Sequence, residues 1–396
     1  MAPVARTPHL VARLQGLGTT IFSEMTALAQ QHDAVNLGQG FPDENPPHAL
    51  IQDALAAMEA GHNQYAPGPG VPALREAIAA HQRRFRGLDY DPHTEVTVTF
   101  GATEAMAAAV QSLCEIGAEV LVLEPAYDAY RAVIALAGGV QRRIPVRDHG
   151  LGSGLRPDLD GLAAAITPRT RLVLVNSPHN PTGIMLDDDE LDRIAALCVE
   201  HDLIAITDEV YEHLVYEDAH RSLAARPGMR ERTVVISSAA KTFSCTGWKV
   251  GWACAPPELT DALRIVKQYV SFAGATPFQH AIATALGQDD DAYQQLVDRL
   301  WSRRDRLCDG LEGLGLEVLR PQGTYFAVAD VAPLGHDDGA AFCRWAPGAV
   351  GVAAVPVSAF VDDPAPVRSL VRFAFCKADE VIDAGLERLA TLRTTG

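Results

Sequence analysis

The run from Ser237 to Trp252, SSAAKTFSCTGWKVGW, contains the residues best suited to covalent chemistry. Lys241 lies among small residues just after the apolar segment TVVIS, and Lys249 follows eight residues later. A lysine amine in a tight, partly desolvated turn loses proton affinity and becomes a nucleophile toward aldehydes. A second cation suits an anionic group on such an aldehyde. The simpler alternative is a surface turn with two solvated lysines.

The segment GATEAM (101–106) follows another apolar run and begins a predicted helix. Free backbone N–H groups and the helix dipole at such a start attract phosphate. Thr103 would add a hydroxyl, and Ser238 and Lys249 could complete the shell of charge and hydrogen bonds. A glycine before a helix is commonly only a turn, so this segment alone leaves both interpretations open.

Asp208 ends the apolar run LIAIT, where a carboxylate is costly unless a cation pairs with it. A protonated pyridine nitrogen is such a partner, and its protonation would make the ring an electron sink. Tyr211 and Asn180 could donate to a phenolate oxygen of that ring, and Tyr127 could stack on its face. The simpler alternatives are a helix cap for Asp208, a turn for Asn180 and core packing for Tyr127.

Arg372 lies in LVRFAFCK, with apolar residues on both sides. Alternation along a strand would place it on one face with Ala374, opposite Val371, Phe373 and Phe375. A guanidinium in such a strand needs an acidic partner, and a bidentate carboxylate fits its planar fork. That partner is either a ligand or an acidic side chain in an internal salt bridge.

The elements that carry these residues alternate between short strands and helices. Strands are predicted in EVTVTF (95–100), EVLVLE (119–124), RLVLV (171–175), LIAIT (203–207), TVVIS (233–237) and VGWACA (250–255), with helices at 103–115 and 189–201. Such alternation indicates a mainly parallel sheet, which binds ligands beyond the carboxyl ends of its strands. The clusters at 101–103, 125–127, 176–183, 208–211 and 238–241 each follow a strand. The pattern therefore predicts one site along one edge of the sheet.

From about Thr284 onward the pattern changes to a smaller α+β region. A long charged helix is predicted over 291–314, followed by short strands in LEVL, TYFAVAD and VRFAFC and by a terminal helix. The Pro/Gly-rich segments PQGTY and PGAVGVAAVP are predicted to be loops. At 396 residues the chain exceeds the size of a single core, so two domains are expected, with a boundary near Gly287 and Gln288.

The composition excludes several classes of protein. A net charge of −17 argues against nucleic acid or anionic membrane as a general partner. No apolar run approaches the ~18 residues of a membrane span, and the N-terminus lacks an apolar secretory segment, so a cytoplasmic location is expected. The seven cysteines form no CxxC pair, which fits reduced thiols. No spacing is typical of a metal site, and no GxGxxG motif indicates a nicotinamide cofactor.

A series of motifs runs in order through nearly the whole chain: NLGQGFPD (36–43), NQYAPGPG (63–70), GATEAM, SPHNPTG (177–183), DEVYEHLVY, SSAAKTFSCTGWKVGW and VRFAFCK. In this series the chain resembles the class I/II aminotransferases, fold-type I enzymes that use pyridoxal 5'-phosphate. It is most similar to the branch of N-succinyldiaminopimelate, methionine and kynurenine/glutamine aminotransferases. The resemblance implies a large α/β domain (47–286) with a mainly parallel sheet between helices. It also implies a smaller α+β domain formed by 1–46 together with 287–396.

The resemblance also implies roles for the candidate residues around the cofactor ring. Lys241 matches the lysine that bonds to the cofactor and later carries the substrate proton. Asp208 matches the partner of the pyridine nitrogen. Asn180 and Tyr211 match the donors to the ring hydroxyl, and Tyr127 takes the place of the stacking aromatic residue.

The remaining assignments concern the phosphate and the substrate. Phosphate contacts are implied for Ala102, Thr103, Ser238 and Lys249, and for Tyr65, which matches a tyrosine contributed by the neighbouring subunit of a homodimer. Arg372 matches the clamp for the substrate α-carboxylate. The resemblance further implies that the segment containing Gly38 lines the substrate pocket and that Asn180 contacts the substrate there.

The implied reaction is the transfer of an amino group between an L-amino acid and a 2-oxo acid by a ping-pong mechanism, with glutamate as one expected partner. N-succinyl-LL-diaminopimelate with 2-oxoglutarate is one substrate pair, although no arginine identifies itself as a site for the distal carboxylate. A broad-specificity aromatic, methionine or glutamine enzyme needs only an apolar pocket, for which Phe41, Tyr325, Phe326 and Phe360 are candidates. A pyridoxal-phosphate-dependent lyase, or another biosynthetic enzyme on this scaffold, would use the same residues. A cofactor-sensing regulator would need a basic DNA-binding region, which the sequence does not contain.

Overall fold

The computed structural model describes residues 9–146 and 151–394, so the ends of the expected small domain, 1–8 and 395–396, lie outside it. The α-helices are α1 (Ile21–Gln31), α2 (His48–Glu59), α3 (Pro72–Arg86), α4 (Gly101–Leu113), α5 (Asp128–Ala137), α6 (Leu159–Ala164), α7 (Asp188–Glu200), α8 (Ala239–Thr242), α9 (Pro257–Val270), α10 (Thr276–Leu286), α11 (Asp290–Gly313), α12 (Gly339–Ala349) and α13 (Asp379–Ala390). The strands are β1 (Val35–Asn36), β2 (Val96–Phe100), β3 (Glu119–Leu123), β4 (Val140–Ile144), β5 (Thr170–Asn176), β6 (Ile204–Asp208), β7 (Thr233–Ser238), β8 (Val250–Cys254), β9 (Glu317–Leu319), β10 (Phe326–Asp330), β11 (Val352–Ala353), β12 (Val355–Pro356) and β13 (Leu370–Ala374).

The central sheet has seven strands in the order β2-β8-β7-β6-β5-β3-β4. Its neighbouring strands are parallel except for β8, which runs antiparallel to both β2 and β7. All six strands predicted for this sheet are present, with ends that differ by at most one residue. Strand β4 escaped prediction because its sequence VQRRI is polar and largely exposed at the edge of the sheet. The prediction of a mainly parallel sheet is confirmed.

Helices cover both faces of this sheet and bury its central strands, with Arg171 near the start of β5 as the exposed exception. Helices α4, α5 and α9 pack on one face in a core that includes Ala109, Ile134 and Ile206. Helix α7 packs on the other face through Leu191 and Ile194. A capping box fixes the start of α7, and α4 begins at Gly101, two residues before the predicted start.

The second sheet is antiparallel, with the order β12-β13-β10-β9, and it shares a core with α1, α11, α12 and α13. The N-terminal segment joins this region because β1 pairs in parallel with β11, and Met25 and Leu37 enter the same core. These contacts support the division that we propose, with a large domain over 47–286 and a small domain formed by 1–46 and 287–396.

The prediction that PGAVGVAAVP is a loop is wrong. Helix α12 runs through Pro347 to Ala349, and the strands β11 and β12 follow within the same segment. Its apolar side chains are buried except for Ala349 and Val350, and its backbone pairs with β1 and β13, so tertiary contacts override the local preference of glycine and proline. The segment PQGTY lies outside the helices and strands, as predicted.

Over residues 9–146 and 151–394, the longest helices carry too many polar and charged side chains to cross a membrane, and none is suited to do so. All seven cysteines are buried and none forms a disulfide bond.

Candidate active site

A cavity of about 440 Å³ lies at the edge of the central sheet where β2, β3, β5, β6 and β7 end. Phe326 and Arg372, from the antiparallel sheet, close its other side. The structure brings most of the predicted site residues to this cavity: Ala102, Thr103, Tyr127, Asn180, Asp208, Tyr211, Ser238, Lys241, Lys249 and Arg372. Of the residues predicted to contact the cofactor or the substrate carboxylate, Gly38 and Tyr65 do not line it. Of the four candidates for an apolar pocket, Phe326 lines this cavity, whereas Phe41, Tyr325 and Phe360 do not.

Lys241 lies in the short helix α8, which begins directly after β7. Its side chain is half-buried, and Nζ donates a hydrogen bond to the backbone oxygen of Gly40 over 3.4 Å. Burial lowers the pKa of Lys241 to about 8, and the cations Arg372 and Lys249 act in the same direction. A neutral, nucleophilic amine is therefore well populated near that pH.

The amino end of α4 meets Lys249 at the cavity wall. Gly101 begins the helix with a φ of 67°, and a Cβ there would lie 3.3 Å from Lys249 Nζ. A Cβ on Gly251 of β8 would lie only 2.5 Å from the backbone carbon of Gly101 and 2.7 Å from the nitrogen of Ala102. This close approach needs glycine, and it leaves free N–H groups beside an ammonium group. The arrangement suits a phosphate.

Asp208 lies at the end of β6, buried below the cavity. Its Oδ2 accepts a hydrogen bond of 2.8 Å from Tyr130 Oη, and its Oδ1 accepts one of 3.4 Å from the N–H of Val210. Burial raises the pKa of Asp208, whereas the Tyr130 hydrogen bond lowers it. No basic side chain in the described part of the chain forms an ion pair with this carboxyl group. It is therefore available to a cation carried by a ligand.

Arg372 in β13 is fully buried, and polar groups from distant segments hold its guanidinium. Nη1 donates to Asn180 Oδ1 and Nη2 donates to the carbonyl oxygen of Gly38, both over 2.8 Å. The ring of Phe326 lies under the guanidinium, 3.9 Å from Cζ to the ring centre. Burial lowers the pKa of Arg372 to about 10. Nε has no partner, and no acidic side chain among the described residues pairs with this cation, so it is suited to a carboxylate of a ligand.

The phenol side chains of Tyr127 and Tyr211 form a further part of the cavity wall. Tyr127 is half-buried in the cavity wall, with its ring 6.2 Å from Phe22. Tyr211 is buried and packs edge-on against Tyr325, with 5.3 Å between ring centres. Burial raises the pKa of Tyr127 to about 12 and raises that of Tyr211 further, so both hydroxyls remain protonated hydrogen-bond donors at neutral pH.

The two predicted residues outside the cavity differ in position. Gly38 reaches the site through its carbonyl group, which binds Arg372. Tyr65 is on the surface, with 81% of the residue exposed, and packs edge-on against Phe272 with ring centres 5.7 Å apart. Within a single chain, Tyr65 does not contribute to the cavity.

Known proteins match this chain over nearly its whole length. The sequence model of the family "Aminotransferase class I and II" matches residues 32–389. The probable N-succinyldiaminopimelate aminotransferase DapC of Mycobacterium tuberculosis is 52% identical over 391 residues, which span 96% of this chain and 98% of that protein. The methionine aminotransferase of Escherichia coli is 41% identical over 382 residues, with 96% and 98% covered. The solved structure of N-succinyldiaminopimelate aminotransferase from M. tuberculosis has a TM-score of 0.94 at 52% identity, with coverage of 97% of this chain and 100% of that chain.

The chain belongs to the class I and II aminotransferases. It is an aminotransferase that depends on pyridoxal 5'-phosphate, and its architecture is that of fold-type I, as the sequence predicted. The resemblance drawn from the motif series is therefore confirmed.

Several residues of this aminotransferase line the cavity without having been predicted from its sequence. They include Phe22, Gln39 and Gly40 from the N-terminal segment, together with Asp128 and Tyr130 of α5. Spacing offers a signal for Tyr130 alone, because it lies three residues after Tyr127 at the start of a helix. The resemblance implied that the N-terminal segment lines the pocket, whereas no local pattern of apolar and polar residues indicates that it reaches a site formed by the middle of the chain.

A buried group of potential metal ligands lies elsewhere in this aminotransferase, although no sequence spacing indicated one. Ligand atoms of His81, Glu212 and His213 lie within 4.8 Å of one another, and the Nε2 atoms of the two histidines are 2.6 Å apart. Glu212 is already paired with the buried guanidinium of Arg86 at 3.0 Å and accepts a hydrogen bond of 2.5 Å from Ser237 Oγ. These distances fit a shared hydrogen bond between the imidazoles, with Arg86 as the cation.

Proposed function

We propose that this aminotransferase exchanges the amino group of N-succinyl-LL-diaminopimelate with 2-oxoglutarate, so that glutamate is one of its two amino acid partners. The observation that supports an amino acid substrate best is the buried Arg372, a cation without an acidic partner among the described residues, in the same cavity as Lys241. The choice of substrate pair rests on the 52% identity to the mycobacterial protein over nearly the whole chain.

The described residues fit pyridoxal 5'-phosphate. We assign the pyridine nitrogen to Asp208, which is buried without a cationic partner in the described chain. Donation to the ring hydroxyl falls to Tyr211 and to the amide nitrogen of Asn180, whose Oδ1 already accepts from Arg372. Tyr127 would stack on the ring.

The phosphate would lie against the amino end of α4. Ala102, Thr103, Ser238 and Lys249 line the cavity, and they would supply a backbone N–H group, two hydroxyls and an ammonium group. The contact of 3.3 Å between Lys249 Nζ and the position of a Cβ on Gly101 supports this assignment, because it fixes a positive charge beside the helix end.

The bound cofactor supplies a ring that accepts electrons from the carbon that bears the amino group. The chain's residues perform the remaining work. Arg372, held by Asn180 and by the carbonyl of Gly38, orients the substrate through its α-carboxylate. Lys241, with its pKa lowered to about 8 by burial, holds and moves the proton at Nζ near neutral pH. Asp208, in its ionised form, would keep the pyridine nitrogen protonated.

The charges at the cavity favour a second candidate, a broad-specificity aromatic, methionine or glutamine aminotransferase of the kynurenine type. The cations that line the cavity are Lys241, Lys249 and Arg372, and each already has a role. Phe22 and Phe326 supply apolar surface to the same cavity. A distal carboxylate would then need a cation from a partner subunit, whereas a thioether or aromatic side chain would not.

We also propose a homodimer in which Tyr65 reaches the phosphate of the neighbouring subunit. An exposed apolar patch supports this assembly, since Tyr65, Tyr269 and Val270 each expose 66% or more of their surface, and Phe272 exposes 45%. Aromatic residues at this exposure are typical of an interface. A cytoplasmic location is consistent with seven buried, unpaired thiols.

A half-reaction screen tests the proposed function. The enzyme loaded with cofactor is mixed with single amino acids, and the absorbance of the pyridoxal form is followed as it converts to the pyridoxamine form. Fast conversion by glutamate and N-succinyl-LL-diaminopimelate supports the first candidate, and fast conversion by methionine or kynurenine supports the second. Release of ammonia and pyruvate from a cysteine conjugate, without conversion, would identify a lyase.

A Lys241→Ala variant tests the central assignment. It should fold normally and lose the absorbance of the lysine-bound cofactor, with turnover reduced by about 10⁴-fold. Retention of that absorbance would show that another group binds the cofactor.

A further inference from the structure

Lys241 and Tyr325 meet at one backbone oxygen. The hydroxyl of Tyr325 donates a hydrogen bond of 2.6 Å to the carbonyl oxygen of Gly40, which also accepts the longer bond of 3.4 Å from Lys241 Nζ. Nζ lies 5.7 Å from the ring centres of both Tyr325 and Tyr211. A carbonyl oxygen has two lone pairs, so these two donors use its full capacity.

The shared oxygen is fixed in position. A Cβ on Gly40 would lie 2.6 Å from Cζ of Phe326, so the chain passes close against that ring. Earlier in the segment, the N–H groups of Gly38 and Gln39 donate to Asn36 Oδ1 over 3.0 and 3.1 Å. Beyond it, Lys377 Nζ donates to the carbonyl oxygen of Phe41 over 3.0 Å. The Gly40 carbonyl is therefore held from both sides.

Tyr325 is equally constrained. Only 1% of it is exposed, and its carbonyl oxygen accepts a hydrogen bond of 2.9 Å from the N–H of Phe375. The preceding residue, Thr324, donates its N–H to Leu214 over 2.8 Å. The phenol thus acts as a rigid support that determines where the Gly40 carbonyl points.

We propose that Tyr325 is a positioning residue for transamination: through the carbonyl of Gly40 it provides a resting site for the Lys241 amine whenever that amine is free of the cofactor. A neutral amine that donates one N–H to this oxygen directs its lone pair elsewhere, toward the cavity that Lys241 lines. Because Tyr325 occupies one lone pair, the carbonyl holds the amine without strongly favouring its charged form. The inference rests on the proposed role of Lys241.

A Tyr325→Phe variant removes only the hydroxyl. The holoenzyme is converted to its pyridoxamine form, in which Lys241 is free, and carbamylation of Lys241 by cyanate is followed by mass spectrometry across pH. Without the Tyr325 hydroxyl, the Gly40 carbonyl binds the ammonium form of Lys241 better. The pH midpoint of carbamylation should therefore rise by about half a pH unit or more. The single-turnover rate should fall about tenfold, with KM changed less than about twofold.

Tyr216→Phe is the matched control. Its hydroxyl also donates to a backbone oxygen, that of Thr324 next to Tyr325, but it does not bind the Gly40 carbonyl. This variant should lose thermal stability without any shift in the carbamylation midpoint. An unshifted midpoint and an unchanged single-turnover rate in Tyr325→Phe would overturn the inference, as would equal shifts in both variants.

Methylamine rescue gives a second measurement that does not depend on the folding of Tyr325→Phe. Added to Lys241→Ala, methylamine should restore turnover with saturation, because it binds at the resting site. Rescue that stays linear up to high concentration would contradict such a site. If Lys241→Ala instead keeps the absorbance of a lysine-bound cofactor, the proposed role of Lys241 fails, and that failure is separate from any result for Tyr325.

Discussion

The hydroxyl of Tyr130 donates a hydrogen bond of 2.8 Å to Oδ2 of Asp208, and both residues are buried. Burial alone raises the pKa of this carboxyl group, and the hydrogen bond opposes that shift. Tyr130 therefore helps to keep Asp208 ionised, which is the state needed to hold a protonated pyridine nitrogen.

A Tyr130→Phe variant should consequently bind the cofactor about tenfold more weakly, since a hydrogen bond to a charged group contributes roughly 1.5 kcal/mol or more. Equilibrium dialysis of pyridoxal phosphate measures this loss. Tyr293→Phe is the control, because its hydroxyl binds the carbonyl oxygen of Leu286 over 3.3 Å, away from the cavity. Equal affinity in the Tyr130 variant and the parent would show that Asp208 needs no such support.

Arg372→Lys keeps the positive charge and removes the planar fork. The lysine cannot bind Asn180, Gly38 and a substrate carboxylate together, so KM for amino and oxo acids should rise about 100-fold. The cofactor absorbance should stay unchanged, because Arg372 does not contact the phosphate site. Arg303→Lys, whose partners Glu44 and Asp379 lie outside the cavity, is the control. An unchanged KM for every substrate would refute a carboxylate clamp at Arg372.

A Gly251→Ala variant tests the proposed phosphate site, because the added Cβ meets the backbone at the start of α4. The added Cβ would lie 2.5 Å from the backbone carbon of Gly101, so the start of α4 must shift. Overpacking of this kind typically costs about 1–3 kcal/mol, and here the cost should appear as weaker cofactor binding. The stabilisation that saturating cofactor adds to Tm should therefore shrink. Gly247→Ala is the matched control, because a Cβ at Gly247 has no atom within 4 Å. Equal stabilisation by cofactor in both variants would count against the proposed site.

The buried pair His81 and His213 should make the fold sensitive to acid. Burial lowers the pKa of both imidazoles below the value of 6.5 that is usual for histidine, despite the opposing charge of Glu212 and with support from Arg86. Below pH 6.5 the unfolded chain therefore binds more protons than the folded chain. The stability is present in full above that pH and is lost as pH falls, by up to about 1.4 kcal/mol per pH unit for each histidine.

Urea unfolding at pH 7.5, 6.5 and 5.5 measures this dependence. In the double variant His81→Gln, His213→Gln, the free energy of unfolding should depend less on pH. A smaller dependence should remain because of His179, whose pKa burial lowers to about 4. A slope that is unchanged in the double variant would assign the acid sensitivity to other groups.

Sequence patterns predicted the central sheet well because its strands are buried on both faces and appear as continuous apolar runs. The same reasoning brought Lys241, Asp208 and Thr103 to one edge, since each lies at or just after the carboxyl end of a strand and β2, β6 and β7 run in the same direction. The edge strand β4 was not predicted because three of its five residues, Gln141, Arg142 and Arg143, are polar. The strands in PGAVGVAAVP were missed because glycine and proline locally favour a loop. Pairing with the distant strands β1 and β13 makes this segment extended instead.

The contacts of Arg372 show the limit of sequence patterns. Alternation predicted its face of β13, but Asn180 and Gly38 lie 192 and 334 residues away along the chain. The sequence suggested Tyr325 only as an apolar-pocket residue, whereas its hydroxyl donates to the Gly40 carbonyl in the folded chain. Contacts between such distant residues depend on how the two sheets meet, which periodicity does not encode.

Strand β8 runs against its neighbours, so the chain that leaves the sheet edge after Ser238 returns to the same edge at Val250. Lys241 and Lys249 therefore belong to one short loop between β7 and β8. Where this loop enters β8, Gly251 packs closely against the start of α4. In the proposed site, one loop therefore carries both the covalent and the ionic anchor of the ligand. Once the bond to Lys241 is broken, release of the cofactor should still require this loop to open, so loop opening should set the release rate.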